Sequence, residues 1–265
     1  MSETGGVKVQ TFWEHLDELR GCLVRIALVV VLFGIIAFLF KREMFDIVLA
    51  PKQGDFITYR LFAVVSGWFP FEDITPNAFS VKLINTGLAE QLLIHMKTSI
   101  YVGVLCASPY ILYLLFRFVS PALYSREKKY VSRMVGGGYI MFMLGVALSY
   151  FLIFPLTFRF LGTYQVSIEV ENMISLQSYM DTLMMMNLMM GIVFEIPILC
   201  WLLAQFGLIS VGFMRRYRRH AVVIILVIAA IITPTSDVLT LLLVSLPMWL
   251  LYEISILIVK HTKRK

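Results

Sequence analysis

The sequence predicts an all-α polytopic membrane protein: six transmembrane helices in a curved, concave bundle with both termini in the cytoplasm. Three observations predict it. The 265-residue chain is 59% hydrophobic and 15% charged, with mean hydropathy +0.83. A soluble domain is about 45–50% apolar and about 25% charged. The apolar residues form long runs without the alternation of barrel strands. The Lys and Arg residues are unevenly divided between the connections.

The spans follow in order. The first is near 21–40. Its apolar run, Gly21 to Phe40, is 20 residues long and follows an acidic segment. A secretory h-region has roughly 7–15 residues after a basic segment, so the run reads as a span and not as a cleaved signal. The second is near 98–116 and carries Pro109. The third, near 134–157, contains Gly136, Gly137, Gly138 and Pro155. The fourth, near 183–206, holds Glu195 and Pro197. The fifth, near 221–232, is 12 residues long, roughly 18 Å of helix. The hydrocarbon core is about 30 Å thick. Four arginines precede this short span and Thr233-Pro234-Thr235-Ser236-Asp237 follows it, which fits a short crossing and a tight turn, with the bilayer thinned locally or a partner shielding the helix. The sixth, near 238–259, carries Pro247 and Glu253. All six belong to one domain over 1–265.

Charge orients the bundle. Segments 1–20, 117–133, 207–220 and 260–265 hold 15 Lys and Arg residues, against 7 in 41–97, 158–182 and 233–237. The positive-inside rule puts the first set, with both termini, in the cytoplasm. The formal charge of +6 is explained by these connections, without nucleic acid. Segment 41–97 becomes a large external loop. Its Pro, Gly and aromatic content (Phe56, Tyr59, Phe62, Trp68, Phe69, Phe71) suits a cap packed on the bundle. Kinks at Pro109, Pro197 and Pro247 would curve the helices, which favours a concave body.

Segment 1–20 is amphipathic. At 100° per residue, Phe12, Leu16, Leu19 and Leu23 fall within about 60° of one another. Glu14, Asp17 and Glu18 lie opposite. Periodicity alone favours an ordinary solvated face with a local Asp17–Arg20 pair. In the basic loop after span two, Glu127 is the only acid. It reads as a surface ion pair, or as a second carboxylate facing the same side as Glu18. Two such carboxylates could each take a guanidinium in a bidentate fork.

Glu195 lies within an apolar run. An intramembrane carboxylate costs about 2.5–3.5 kcal/mol on insertion scales and suggests a functional site. The alternatives are a structural hydrogen bond or a protonated acid. The methionines from Met184 to Met190 read as a lipid-facing stripe, with an adaptable binding face as the other reading. Glu253 is expected to snorkel or to pair with Lys260.

Enzymatic signatures are missing: there is no Walker A loop, H-E-x-x-H or G-x-S-x-G. The four histidines are scattered, so no metal site is expected. Cys22, Cys106 and Cys200 have neither metal nor disulfide spacing and read as small hydrophobes. No cofactor is implied, and transport would need an ion gradient or partner proteins. A secondary transporter using Glu195 as its proton site stays open on these grounds. An intramembrane enzyme lacks a supporting constellation.

Four motifs, in order along the chain, resemble those of the TatC family, the core receptor subunit of the twin-arginine protein translocase. They are His15-Leu16-Asp17-Glu18-Leu19-Arg20; Phe118-x-x-Pro121-Ala122-Leu123-Tyr124-x-x-Glu127; Phe194-Glu195-x-Pro197; and Thr233-Pro234 followed by Asp237. The resemblance implies a glove-shaped bundle in the cytoplasmic (inner) membrane that binds the signal peptides of folded precursors. Glu18 and Glu127 match the two acids that engage the paired arginines. Glu14, His15, Leu19 and Arg20 surround the first acid, and Phe118 and Pro121 belong to the same recognition loop. Glu195 and Pro197 match an intramembrane contact for the inserted signal peptide or for single-span partners of the TatA/TatB type. The implied assembly is a multi-copy complex in the lipid bilayer, driven by the proton-motive force, with neither a nucleotide site nor nucleic acid. Two departures stand out. The 41–97 loop is longer and richer in aromatics, and the turn before Asp237 has an extra residue.

Overall fold

The computed structural model describes residues 12–66, 82–119, 128–165, 167, 172–233 and 237–262. Eleven α-helices occur among them, in the order α1 Phe12–Leu39, α2 Lys41–Val48, α3 Ile57–Ser66, α4 Glu90–Val119, α5 Lys128–Leu148, α6 Phe154–Thr163, α7 Leu176–Val193, α8 Ile196–Gln205, α9 Val211–Arg216, α10 Arg218–Ile232 and α11 Val238–Thr262. The chain is an all-α polytopic membrane protein. Among the described residues, five helical stretches are long and apolar enough to cross a bilayer: Leu16–Leu39, Glu90–Phe118, Met134–Thr163, Leu176–Gln205 and Val238–His261. The third joins α5 and α6 through a π turn, Ser149–Ile153. The fourth joins α7 and α8. Helix α10, the expected short crossing, has 15 residues, roughly 22 Å.

Segment 41–97, expected to be a loop, is largely helical where it is described. It forms α2, a 3₁₀ turn at Ala50–Lys52, α3, and the first two turns of α4. Side-chain to backbone hydrogen bonds seat it on the bundle. The Tyr150 and Tyr179 hydroxyls donate to the Ile47 and Val48 carbonyls at the end of α2, over 2.5 and 3.1 Å. Tyr59 Oη donates to the Pro51 and Pro155 carbonyls at 3.1 and 3.0 Å. The Thr58 hydroxyl donates to the Phe151 carbonyl, whose i+4 residue, Pro155, has no amide hydrogen to give it. Residues 67–81, with Trp68, Phe69 and Phe71, lie outside the described residues.

The prolines act less uniformly than their spacing suggests. Helices α4 and α11 run on through Pro109 and Pro247. In α4 the Leu105 carbonyl, freed by Pro109, accepts from the Ser108 hydroxyl at 2.7 Å. The fourth span breaks at Phe194–Glu195, ahead of Pro197.

Helix α1 packs along α4 and leaves a wide flank of Leu23, Leu28, Val31, Leu32 and Ile35 exposed, as a lipid-facing helix should. The core lies between α4, α5, α7 and α11. Met180, Met186 and Met190 are fully buried in it and Met185 is exposed. The methionine run is therefore core for the most part, a correction to the lipid-facing reading. Its unbranched side chains fill the irregular space beside the π turn. Two short strands, Leu83–Ile84 and Ile174–Ser175, pair in parallel and tie the starts of α4 and α7 together. The Lys97–Asp181 ion pair, 3.1 Å, links the same two helices.

Candidate functional site

The N-terminal motif is continuous with the first span. No capping residue or proline interrupts the run, so α1 carries Glu14 to Arg20 as its opening turns. Glu14, Asp17 and Arg20 are exposed; Glu18 and Leu19 are half-buried. His15 lies on the same helix. Asp17 and Arg20 do not form the expected local ion pair.

Close packing fixes the height of this motif. A β-carbon on Gly103 would lie 2.7 Å from the Val30 carbonyl oxygen and 2.8 Å from the Gly34 nitrogen. Small residues allow membrane helices to approach this closely. One end further along, Phe38 stacks on His95 with ring centroids 4.0 Å apart. The two contacts together make α1 and α4 antiparallel. Sixteen residues separate Glu18 from Gly34, and fifteen separate Gly103 from Phe118. At 1.5 Å per residue both lengths are roughly 22–24 Å. Glu18 and half-buried Phe118 thus end at the same level, where α4 ends. Pro121 and Glu127 lie outside the described residues.

Glu195 sits in the break between α7 and α8. Its own amide donates to the Ile192 carbonyl at 3.0 Å, and its carbonyl accepts from Ile198 and Leu199 at 3.1 and 2.9 Å. Pro197 is buried near the start of α8, where a missing amide hydrogen costs nothing. The carboxylate points into the bundle. A β-carbon on Gly138 would lie 3.1 Å from Glu195 Oε2 and 3.1 Å from the edge of the Phe116 ring. Glycine at 138 makes the room that the carboxylate occupies. Leu112, Met134, Phe142 and Leu202 form the buried apolar cluster around Phe116. Both Glu195 oxygens are buried without a hydrogen-bond partner among the described residues.

The family described as Sec-independent protein translocase protein (TatC) matches residues 14–247. The chain is 34% identical to the Sec-independent protein translocase protein TatC of Blattabacterium sp. subsp. Periplaneta americana (strain BPLAN), over 96% of each chain. It is 35% identical to that of Aquifex aeolicus (strain VF5), over 95% of each. A crystal structure described as the twin arginine translocase receptor TatC superposes with a TM-score of 0.74, at 34% identity, covering 94% of this chain and 100% of that one.

The chain belongs to the TatC family.

As a TatC-family member it is a multi-span membrane component of the Sec-independent protein translocase. Two residues that the motif comparison left unassigned acquire structural roles. Asp237 Oδ1 accepts from the Thr240 amide at 2.7 Å, which caps the start of α11. Pro234 lies outside the described residues. Glu253 pairs with Arg218 of α10 at 2.5 Å, and not with Lys260. Sequence separation favours a partner on the same helix; the packing of α10 on α11 supplies a nearer one. Phe116 and Gly138 were missed as site residues. Both were visible only as an apolar helix position and one of three consecutive glycines, and no sequence signal joins them to Glu195.

Proposed function

We propose that this TatC-family chain is the receptor that binds twin-arginine signal peptides at the cytoplasmic face. Glu18 and Glu127 each take one guanidinium of the arginine pair. Bidentate arginine–carboxylate geometry supplies both strength and selectivity over lysine. Phe118 and Pro121 shape the loop, while Glu14, His15, Leu19 and Arg20 complete the surface on α1. Both termini are cytoplasmic, as the distribution of Lys and Arg requires. Glu195 and Pro197 contact the inserted signal peptide or single-span subunits of the TatA/TatB type, which the chain scaffolds in a multi-copy complex. The proton-motive force drives export of the folded precursor.

The observation that carries the reading is the α1–α4 register at Gly34 and Gly103. It brings Glu18 level with the end of α4, eight residues before Glu127 in the sequence. Two carboxylates at the membrane surface suit a receptor better than a small-solute transporter, which would need its charge in the membrane field.

Photocrosslinking from position 127 tests it, using precursors that differ only in Arg-Arg or Lys-Lys. The Arg-Arg precursor is expected to give the stronger adduct. Equal yields would overturn guanidinium recognition.

A further inference from the structure

Four arginines, Arg215, Arg216, Arg218 and Arg219, stand at the junction of α9 and α10, and all are exposed. Arg218 is neutralised by Glu253 at 2.5 Å. The other three form no ion pair among the described residues. The junction is firmly seated. Met214 is buried against Ile256 and Val259. The Tyr252 hydroxyl donates to the Met214 carbonyl at 2.8 Å. Tyr217 packs between Phe213 and His220, with ring centroids at 4.6 and 5.4 Å. Immediately beyond, α10 exposes Val222, Val223, Ile224, Leu226, Val227 and Ile231.

Across this junction the arginines and the Tyr217–His220 pair stand at one level, interleaved in sequence, and the bare apolar face of α10 follows, which matches the profile of a bilayer leaflet from phosphate to hydrocarbon. Positive-inside sorting alone would be met by lysine as well as arginine. Arginine's fork matches a phosphate with two parallel hydrogen bonds. A helix of roughly 22 Å also needs the leaflet drawn toward it. An arginine-bearing peptide would be repelled here, and a soluble anion would not meet the apolar face.

We propose that Arg215, Arg216 and Arg219 bind the phosphate headgroup of an anionic membrane phospholipid and hold that lipid against α10. The tyrosine–histidine pair forms the floor at the headgroup level, and the acyl chains lie along Val223 and Val227.

The test uses the full chain in phosphatidylcholine nanodiscs doped with photoactivatable phosphatidylglycerol, or with the phosphatidylcholine analogue at the same dose. Labelling of the 209–223 segment is read by mass spectrometry. Phosphatidylglycerol should label the segment more than the phosphatidylcholine analogue. The excess should fall about fivefold for each of R215Q, R216Q and R219Q, and shrink in high salt. The control K41Q/R42Q, on α2, should leave labelling unchanged. Equal labelling by the two lipids would overturn the proposal. So would undiminished phosphatidylglycerol labelling in the triple variant. If the triple variant misfolds, wild-type labelling that is indifferent to salt would overturn it as well.

Discussion

Gly103 of α4 meets Gly34 of α1 so closely that a β-carbon at 103 would lie 2.8 Å from the Gly34 nitrogen. The obstacle is backbone, which cannot rotate aside. Gly103→Ala should therefore force α1 outward and lower stability by about 1–3 kcal/mol. Gly136→Ala is the comparison, because a β-carbon there meets nothing within 4 Å. Thermal unfolding in detergent should show a lower midpoint for Gly103→Ala and an equal or higher one for Gly136→Ala.

The same register predicts a functional defect without a folding defect. Glu18→Ala and Glu127→Ala should each abolish export of a folded reporter bearing an Arg-Arg signal, with normal amounts of the protein in the membrane. Normal export by both variants would refute the assignment.

Glu195 predicts a separation of stability from assembly. Its carboxylate is buried among apolar groups without a partner among the described residues, so its charge gains nothing in the isolated chain. Glu195→Gln should unfold at the same temperature as the parent or higher. Glu195→Ala should leave signal-peptide crosslinking intact and weaken the complex with single-span partners on a native gel. An unchanged complex would remove the contact role.

Thr58 and Pro155 should be coupled. The Thr58 hydroxyl serves the Phe151 carbonyl, which Pro155 cannot. Thr58→Val should cost about 1–3 kcal/mol by leaving that acceptor unpaired. In a Pro155→Ala background the restored amide can take over, and the cost should shrink. A double-mutant cycle in thermal melts measures the difference, and strict additivity would contradict it.

Arg218 and Glu253 join α10 to α11 through side chains that are 49% and 26% exposed. Solvent screens such a pair, so a double-mutant cycle should give a coupling of about 0–1 kcal/mol that falls with salt.

Membrane residence, the helical class, the long spans and the four motifs could be read from the sequence, because apolar length and local residue order carry that information directly. The extra turns of α4, the helices α2 and α3, and the break at Phe194–Glu195 could not. Donors from remote segments seat α2, through Tyr150 and Tyr179, and Thr58 of α3 serves the Phe151 carbonyl of the third span, while the bonds at the Phe194–Glu195 break are local ones that no residue pattern announces. Composition reads Met186 and Met190 as lipid-facing, since a membrane core and a lipid are equally apolar and residue type does not distinguish them. The acids Glu18 and Glu195 were visible as anomalies of charge. That Glu18 stands level with Phe118, and that Glu195 turns into a recess left by Gly138, was decided by tertiary structure alone. Each is a matter of how closely two backbones approach, which is a property of a pair of helices and not of either one.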